Sequence, residues 1–282
     1  MKCKILDGKK IAEESYIKLK VRSANLLEKI GRKPNLQAII IGNDPASKTY
    51  VGMKERACIE NGIETKTHQL SENVTTNEVI DLVHRLNSSP EVDGILMQHP
   101  APKHINEIKC FDTISLDKDV DGVTTGGYGR LSMGINAFGS CTPLGIMRLL
   151  DYYNVELQGL NALVIGRSQI LGKPMAAMLL NANATVTIAH SKTLNLSELL
   201  KEADLIVAAV GVPRFIKSSS LKKGTILVDA GYHPAENCGD VDLDGIEEIA
   251  SAYTPVPGGV GPMTINTLIY NTISAMEMKF NV

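Results

Sequence analysis

The chain has 282 residues, enough for one large domain or two ordinary ones with a real core. Its formal net charge is −2 and its pI about 6.3, so it carries no electrostatic footprint for nucleic acid or an anionic membrane surface. Cys3, Cys58, Cys110, Cys141 and Cys238 are scattered, and none forms a Cys-x-x-Cys pair. That points to a reducing compartment and away from a disulfide framework or a structural zinc. The six histidines make no ligand spacing, so no metal is expected. Met1-Lys2-Cys3-Lys4 leads into Ile5-Leu6-Asp7 without the apolar core of a secretory signal. The longest apolar stretch, Leu205 to Val212, is far too short to span a bilayer. A soluble, cytoplasmic protein that associates with neither membrane nor nucleic acid is expected.

In chain order, residues 8–30 place Ile11, Tyr16, Leu19, Val21, Leu26, Leu27 and Ile30 at helical spacing, and Pro34-Asn35 breaks that helix. Leu36 to Ile41 reads as a strand. The turn Gly42-Asn43-Asp44-Pro45 follows, with Ser47 placed to cap a helix running to about Asn61-Gly62. Thr65 to Leu70 alternates as a strand does, and Asn77 to Leu86 is helical. Val92 to Gln98 is another strand, ended by the loop His99-Pro100-Ala101-Pro102. Residues 112–140 are rich in Asp and Gly and poor in pattern, a long irregular segment of the kind that carries function. Cys141-Thr142-Pro143 then opens a helix, with Thr142 as cap, that reaches Tyr153. Strands follow at Ala162–Ile165, Ala184–Ala189, Leu205–Val210, Thr225–Val228 and Ala250–Tyr253, and a last helix runs to about Met278. This alternation predicts an α/β fold in two domains. One is an α/β domain at 1–139, joined by a returning helix at 262–282. The other is a Rossmann-like parallel-sheet domain at 140–261.

The stretch 160–192 organises the second domain. Ala162 to Ile165 ends at Gly166, a loop holding Gly166 and Gly172 follows, and Pro174 suits the first turn of a helix. Such a strand–loop–helix–strand unit sets a pyrophosphate on a helix N-terminus. The glycine pattern is irregular: Ser168 takes the second position of Gly-x-Gly-x-x-Gly, and Gly172 comes one residue late. On that spacing alone, an ordinary βα turn reads equally well. After the second strand, NAD-specific folds carry a carboxylate for the ribose 2′-hydroxyl. This chain instead has His190-Ser191-Lys192, with Arg167 in the first loop. Arg, Ser and Lys donate hydrogen bonds to a 2′-phosphate that a carboxylate would repel, so NADP is favoured over NAD.

Elsewhere, Tyr50 and Lys54 lie four apart on one predicted helix and share a face. A tyrosine can stack on a flat heterocycle, and a lysine in a partly desolvated cleft can shuttle a proton near neutral pH. With Lys48, Glu55 and Arg56 as neighbours, a solvated helix face is the competing reading. Gln98 ends a strand, where its amide can polarise a carbonyl, orient water or simply cap the strand. Asp119 and Asp121, in Lys118-Asp-Val-Asp-Gly122, share a side if the segment is extended, and one can then grip an amino-pyrimidine edge bidentately. A loop turn is the alternative. No Ser-His-Asp set or activated thiol stands out, so covalent catalysis has little support.

Taken together, these stretches resemble the bifunctional methylenetetrahydrofolate dehydrogenase/methenyltetrahydrofolate cyclohydrolase family. The carrying residues are Asp44-Pro-Ala-Ser-Lys-Thr-Tyr-Val-Gly-Met-Lys54, Asp93-Gly-Ile-Leu-Met-Gln98 and Lys118-Asp-Val-Asp-Gly122. With them go Cys141-Thr-Pro-Leu-Gly145, Gly166-Arg-Ser-Gln-Ile-Leu-Gly-Lys-Pro-Met175, His190-Ser-Lys-Thr193 and Pro255-Val-Pro-Gly-Gly-Val-Gly-Pro-Met-Thr264. They run in the family's order over nearly the whole chain.

The resemblance implies two α/β domains either side of a cleft, as a homodimer associating through the nucleotide domains. It implies oxidation of 5,10-methylenetetrahydrofolate by NADP, then hydrolysis of the methenyl cation to 10-formyltetrahydrofolate at the same site. Carried over residue by residue, Lys54 is the general acid/base of hydrolysis, Gln98 assists it, Tyr50 stacks on the folate ring and Asp121 holds the pterin. Gly166, Arg167, Ser168 and Ser191 bind NADP, backbone around Tyr232 closes on the nicotinamide, and Gly259 and Pro262 meet the substrate. The chain also departs from the family. His99 stands where an apolar residue is usual and Ala101 where leucine is, which puts a titrating group near Lys54 and Gln98 and opens the cyclohydrolase step to question. Lys192 replaces a frequent arginine, and Asp229-Ala-Gly-Tyr232 a more usual Val and Ile, reshaping the nicotinamide pocket. A dehydrogenase alone, or use of a modified pterin carrier, is the alternative.

Overall fold

The computed structural model describes residues 3–282; Met1 and Lys2, the start of the stretch read above for a signal, lie outside the described residues. The first elements are β1 (Lys4–Ile5), α1 (Gly8–Ile30), β2 (Asn35–Ile41), α2 (Pro45–Glu60), β3 (Glu64–Leu70) and α3 (Thr76–Ser88). Next come β4 (Gly94–Met97), α4 (Glu107–Thr113), α5 (Thr125–Ser132), α6 (Cys141–Tyr152), β5 (Asn161–Ile165), α7 (Gly172–Asn181), β6 (Thr185–Ala189) and α8 (Leu196–Glu202). The remainder are β7 (Leu205–Ala208), β8 (Ile216–Lys217), β9 (Ile226–Asp229), β10 (Val241–Asp242), α9 (Ile246–Ile249), β11 (Ala252–Tyr253) and α10 (Val260–Phe280). They form two compact units, each made from two pieces of chain: Glu14–Cys141 with Ile265–Val282, and the residues up to Glu13 with Thr142–Thr264.

The first of these units holds a parallel sheet in the order β3-β2-β4. Leu36 to Ile41 is buried throughout, as a parallel strand covered on both faces must be. Leu36, Ala38 and Ile40 pack with Leu19, Leu26 and Cys58, and with Leu268, Ile269 and Ile273 of α10; Ile39 and Ile41 pack with Val79, Leu82 and Phe111. α10 is buried over most of its length, its polar Thr264, Asn266, Thr267, Asn271, Thr272 and Ser274 included. The cap of α2 is Asp44 rather than Ser47: its carboxylate accepts from the Ser47 N–H at 2.7 Å, and Pro45 takes the first helical turn. The segment 112–140 is less irregular than its composition suggests. α5 forms despite three glycines, because the Thr124 hydroxyl accepts from the Gly127 N–H at 2.9 Å and starts the helix.

In the second unit six strands run parallel in the order β1-β11-β9-β7-β5-β6. β6 and β7 lie on opposite sides of β5, so the winding reverses there, and the carboxyl ends of β5 and β7 flank a topological switch point. The residues up to Glu13 belong here and not with the rest of 1–139, because Lys4 and Ile5 pair with Ala252 and Tyr253. That strand is only two residues long, and so is each of the paired β8 and β10; runs this short leave no periodic signal. α6 begins at Cys141, which puts Thr142 inside the helix rather than at its cap, where its hydroxyl accepts from that of Thr264 at 3.1 Å.

Candidate active site

Lys54 lies in the middle of α2 and is 7% exposed, so the solvated-face reading fails at this residue. Its charged neighbours are occupied elsewhere: Glu55 accepts from the Thr67 hydroxyl, and Arg56 Nε donates to the Gly52 carbonyl. Lys54 Nζ donates to Gln98 Oε1 at 3.2 Å and sits 4.7 Å from the centroid of the Tyr50 ring, the neighbour one helical turn back. Gln98 follows β4 directly. Its N–H continues the ladder to the Ile39 carbonyl at 2.9 Å, which fixes where the side chain starts, and its Nε2 donates to the His99 carbonyl at 2.7 Å.

Burial pushes the Tyr50 hydroxyl up to about 12, with the charge of Asp121 and the nearby Cys141 thiol adding to it. Burial also raises the Cys141 thiol well above its ordinary value; Asp121 adds by charge and hydrogen bond, and Lys54 opposes. Burial thus keeps both the Tyr50 phenol and the Cys141 thiol protonated near neutral pH. Four of the predicted residues, Tyr50, Lys54, Gln98 and Asp121, are thus brought together in one unit. Asp119 is not available to a ligand. Its carboxylate accepts from the Val123 N–H (3.0 Å), the Thr124 N–H (3.0 Å) and the Thr124 hydroxyl (2.7 Å), so the loop-turn alternative holds there.

The second set of residues lies on the other unit and is built differently. Gly166 has φ +134°, and a Cβ on it would come 2.3 Å from the Ala209 carbonyl oxygen, so only glycine lets β5 end this close to the chain leaving β7. A Cβ on Gly172 would meet the Gly166 carbonyl oxygen at 2.3 Å; the late glycine is needed where α7 folds back on its own loop. Ser168 fastens that loop, its carbonyl accepting from the Lys173 N–H at 3.0 Å and its hydroxyl from the Gly172 N–H at 3.3 Å. The Gly166 N–H donates to the Ala189 carbonyl at 2.8 Å, which sets the loop beside the turn from His190 to Thr193. Arg167, Ser168, Ser191 and Lys192 are exposed there. A side-chain-free bend at the switch point, flanked by exposed donors and no carboxylate, suits a dinucleotide with a 2′-phosphate.

At the end of β9 the buried carboxylate of Asp229 accepts from the N–H groups of Gly231, Asp240 and Val241. Burial pushes it up to about 6 against those three bonds. Asp240, also buried, accepts from the Val210 and Gly211 N–H groups and lies 2.9 Å from His233 Nε2. Two carboxylates therefore tie the loops after β7 and β9 together, and Tyr232 stands exposed on the second. Gly259 and Pro262 belong to this unit as well, Gly259 being buried with no room for a Cβ beside the Pro255 carbonyl at 2.6 Å.

Residues 6–121 match the family model described as the catalytic domain of tetrahydrofolate dehydrogenase/cyclohydrolase, and residues 140–280 the one for its NAD(P)-binding domain. The chain belongs to the tetrahydrofolate dehydrogenase/cyclohydrolase family. It is 54% identical over 275 residues to the bifunctional protein FolD of Psychrobacter arcticus, an alignment covering 97% of this chain and 93% of that protein. The crystal structure of the bifunctional enzyme FolD from Campylobacter jejuni superposes with a TM-score of 0.95 at 42% identity, over 98% of this chain and 99% of that one. FolD of Trypanosoma brucei, solved with NADP cofactor and inhibitor, superposes with a TM-score of 0.94 at 31% identity over 100% of both chains.

For this tetrahydrofolate dehydrogenase/cyclohydrolase family member, the sequence leaves hidden the contacts made by four groups near the assigned residues: Cys141, Asp229, Asp240 and Glu107. Cys141 opens α6 and stands in the family motif Cys141-Thr-Pro-Leu-Gly145, but that its thiol lies beside Asp121 and Tyr50 is shown only by the structure. Asp229 and Asp240 hold the backbone of the loops after β7 and β9 through their N–H groups. Glu107, whose carboxylate meets His99, left no pattern because its partners are six and eight residues away in an irregular loop.

Proposed function

We propose that this protein oxidises 5,10-methylenetetrahydrofolate to the 5,10-methenyl form with NADP and hydrolyses that product to 10-formyltetrahydrofolate at the same site. The buried Lys54 amine, held by Gln98 at 3.2 Å and set beside the Tyr50 ring, is the observation that carries the reading. In hydrolysis Lys54 takes a proton from the water that adds to the methenyl carbon and returns one as the C–N bond opens. Gln98 fixes the amine in place. Tyr50, with its phenol protonated, presents a neutral ring to the pterin, and Asp121 accepts from the amino-pyrimidine edge. Gly259 and Pro262 add contacts to the substrate.

When bound, NADP supplies the hydride acceptor. Gly166 gives the pyrophosphate room and Arg167, Ser168 and Ser191 donate hydrogen bonds to its phosphates, while the backbone near Tyr232 borders the nicotinamide. Hydride transfer asks no proton carrier of the protein, only orientation and exclusion of water. The protein acts in the cytoplasm, a placement supported by five free cysteines among the described residues. No helix among those residues is long and apolar enough to cross a membrane. It works as a homodimer through the nucleotide-binding units. β6 supports this: it ends its sheet with Thr185, Thr187 and Ile188 exposed, an open edge suited to pairing.

The test is turnover of methylenetetrahydrofolate with each nicotinamide cofactor, following reduced cofactor and formyl product together. Both products are expected. NADP should be favoured by roughly tenfold or more, since one charge-assisted hydrogen bond is worth about 1.5–3 kcal/mol. Equal kcat/KM with NAD would overturn the roles of Arg167 and Ser191, and reduced cofactor without formyl product would overturn the hydrolytic role of Lys54.

A further inference from the structure

We infer that Glu107 is a positioning residue for the hydrolytic step, acting through the loop His99–Ala101 on the Gln98 amide that holds Lys54. The inference rests on the function proposed above. The two ends of the Gln98 amide are chemically unlike. Oε1 accepts from Lys54 Nζ at 3.2 Å, and Nε2 donates to the His99 carbonyl at 2.7 Å. Turned end for end, the amide would point its oxygen at the His99 carbonyl, another acceptor, and that contact cannot be a hydrogen bond. The His99 carbonyl therefore decides which end of Gln98 meets Lys54.

That carbonyl sits in a loop, and a single carboxylate grips the loop at two points. Glu107 Oε1 accepts from the Ala101 N–H, and both Glu107 oxygens lie 3.0 Å from His99 Nδ1. Glu107 is itself well anchored in the first turn of α4. The Asn106 side chain caps that helix by accepting from the Lys109 N–H at 3.0 Å, and the Asn106 N–H donates to the Thr76 hydroxyl at 3.1 Å. The order of control runs from α4 through Glu107, the loop and Gln98 to the amine. The His99 and Glu107 side chains are 42% and 23% exposed and belong to no part of the hydrophobic core, against which Ala101 of the loop packs.

The measurement is the ratio of cyclohydrolase to dehydrogenase kcat in the full-length wild type, Glu107→Ala, Glu107→Gln and His99→Ala. In Glu107→Ala the ratio falls about tenfold, part of the roughly 100-fold that a 1 Å misplacement can cost. Glu107→Gln restores most of it, since an amide oxygen still accepts from the Ala101 N–H. His99→Ala keeps the Ala101 tie and lowers the ratio about threefold on the same scale. A ratio that stays at the wild-type value in Glu107→Ala overturns the inference, as does an equal loss in the Ala and Gln variants. If Glu107→Ala does not fold, an unchanged ratio in His99→Ala overturns it alone. Wild-type enzyme that makes no formyl product removes the proposed function itself, whereas an active wild type with an unmoved ratio removes only the clamp.

Discussion

The unit around Lys54 and the unit around Gly166 prepare their ligand sites by opposite means. Near Lys54 side chains set the geometry: an amine, an amide, a phenol ring and a carboxylate are gathered from α2, the end of β4 and the turn before α5. Near Gly166 the main chain sets it. Two glycines permit close approach, and the carboxylates of Asp229 and Asp240 serve backbone N–H groups instead of meeting a ligand. The contrast teaches where change is felt. In the first unit a substitution should alter chemistry before it alters the fold; in the second it should alter the fold first, and binding through it.

The largest effect expected from this contrast is on the first side. Lys54→Ala should lower the cyclohydrolase kcat by roughly 10²–10⁴-fold, the usual worth of a general acid/base, and spare the dehydrogenase step by comparison. A near wild-type hydrolytic rate would take Lys54 out of that role and blur the distinction between the units. On the second side, Gly166→Ala should cost about 3 kcal/mol in urea unfolding, near the top of the range for a strained φ, because the methyl also meets the Ala209 oxygen. NADP affinity should weaken with it. Unchanged stability and affinity would show that the bend does not depend on a missing side chain.

The smallest effect sharpens the comparison through pH. Asp229 has its folded value raised to about 6 from an ordinary 3.8, so the folded state holds the proton more tightly than the unfolded chain. Its stabilising contribution is fully present below about pH 4 and is lost as pH rises through about 6. The stability of wild type relative to Asp229→Asn should therefore fall by an amount on the order of 2 kcal/mol between pH 4 and pH 7. A difference flat across that window would mean the carboxyl is not held above its ordinary range.

Legibility followed the strength of the local pattern. The runs Leu36–Ile41 and Ala162–Ile165 were readable because burial on both faces forces a continuous hydrophobic signal, and the exposed edge strand β6 was readable from its β-branched residues. The four-residue spacing of Tyr50 and Lys54 gave their shared face. That the face is buried depends on Gln98 and Asp121, distant in sequence, so charged neighbours made it look solvated. α5 was hidden because three glycines argue against a helix and only the Thr124 cap argues for one. Asp119 and Asp121 look alike in sequence; a turn that satisfies Asp119 with its own backbone separates them. The Glu107 clamp joins a helix start to an irregular loop, a pairing that no period encodes.

The interrupted make-up of the three-stranded unit has a consequence for how it is born. Its interior needs Leu268, Ile269, Ile273 and Met276, yet its sheet is complete by Met97, with residues 142–264 intervening. On the ribosome, β2 to β4 emerge long before α10 exists to cover one face of them. Through that interval Leu36, Ala38 and Ile40 remain without their partner helix, the stage at which a nascent chain most invites chaperones or misassociation.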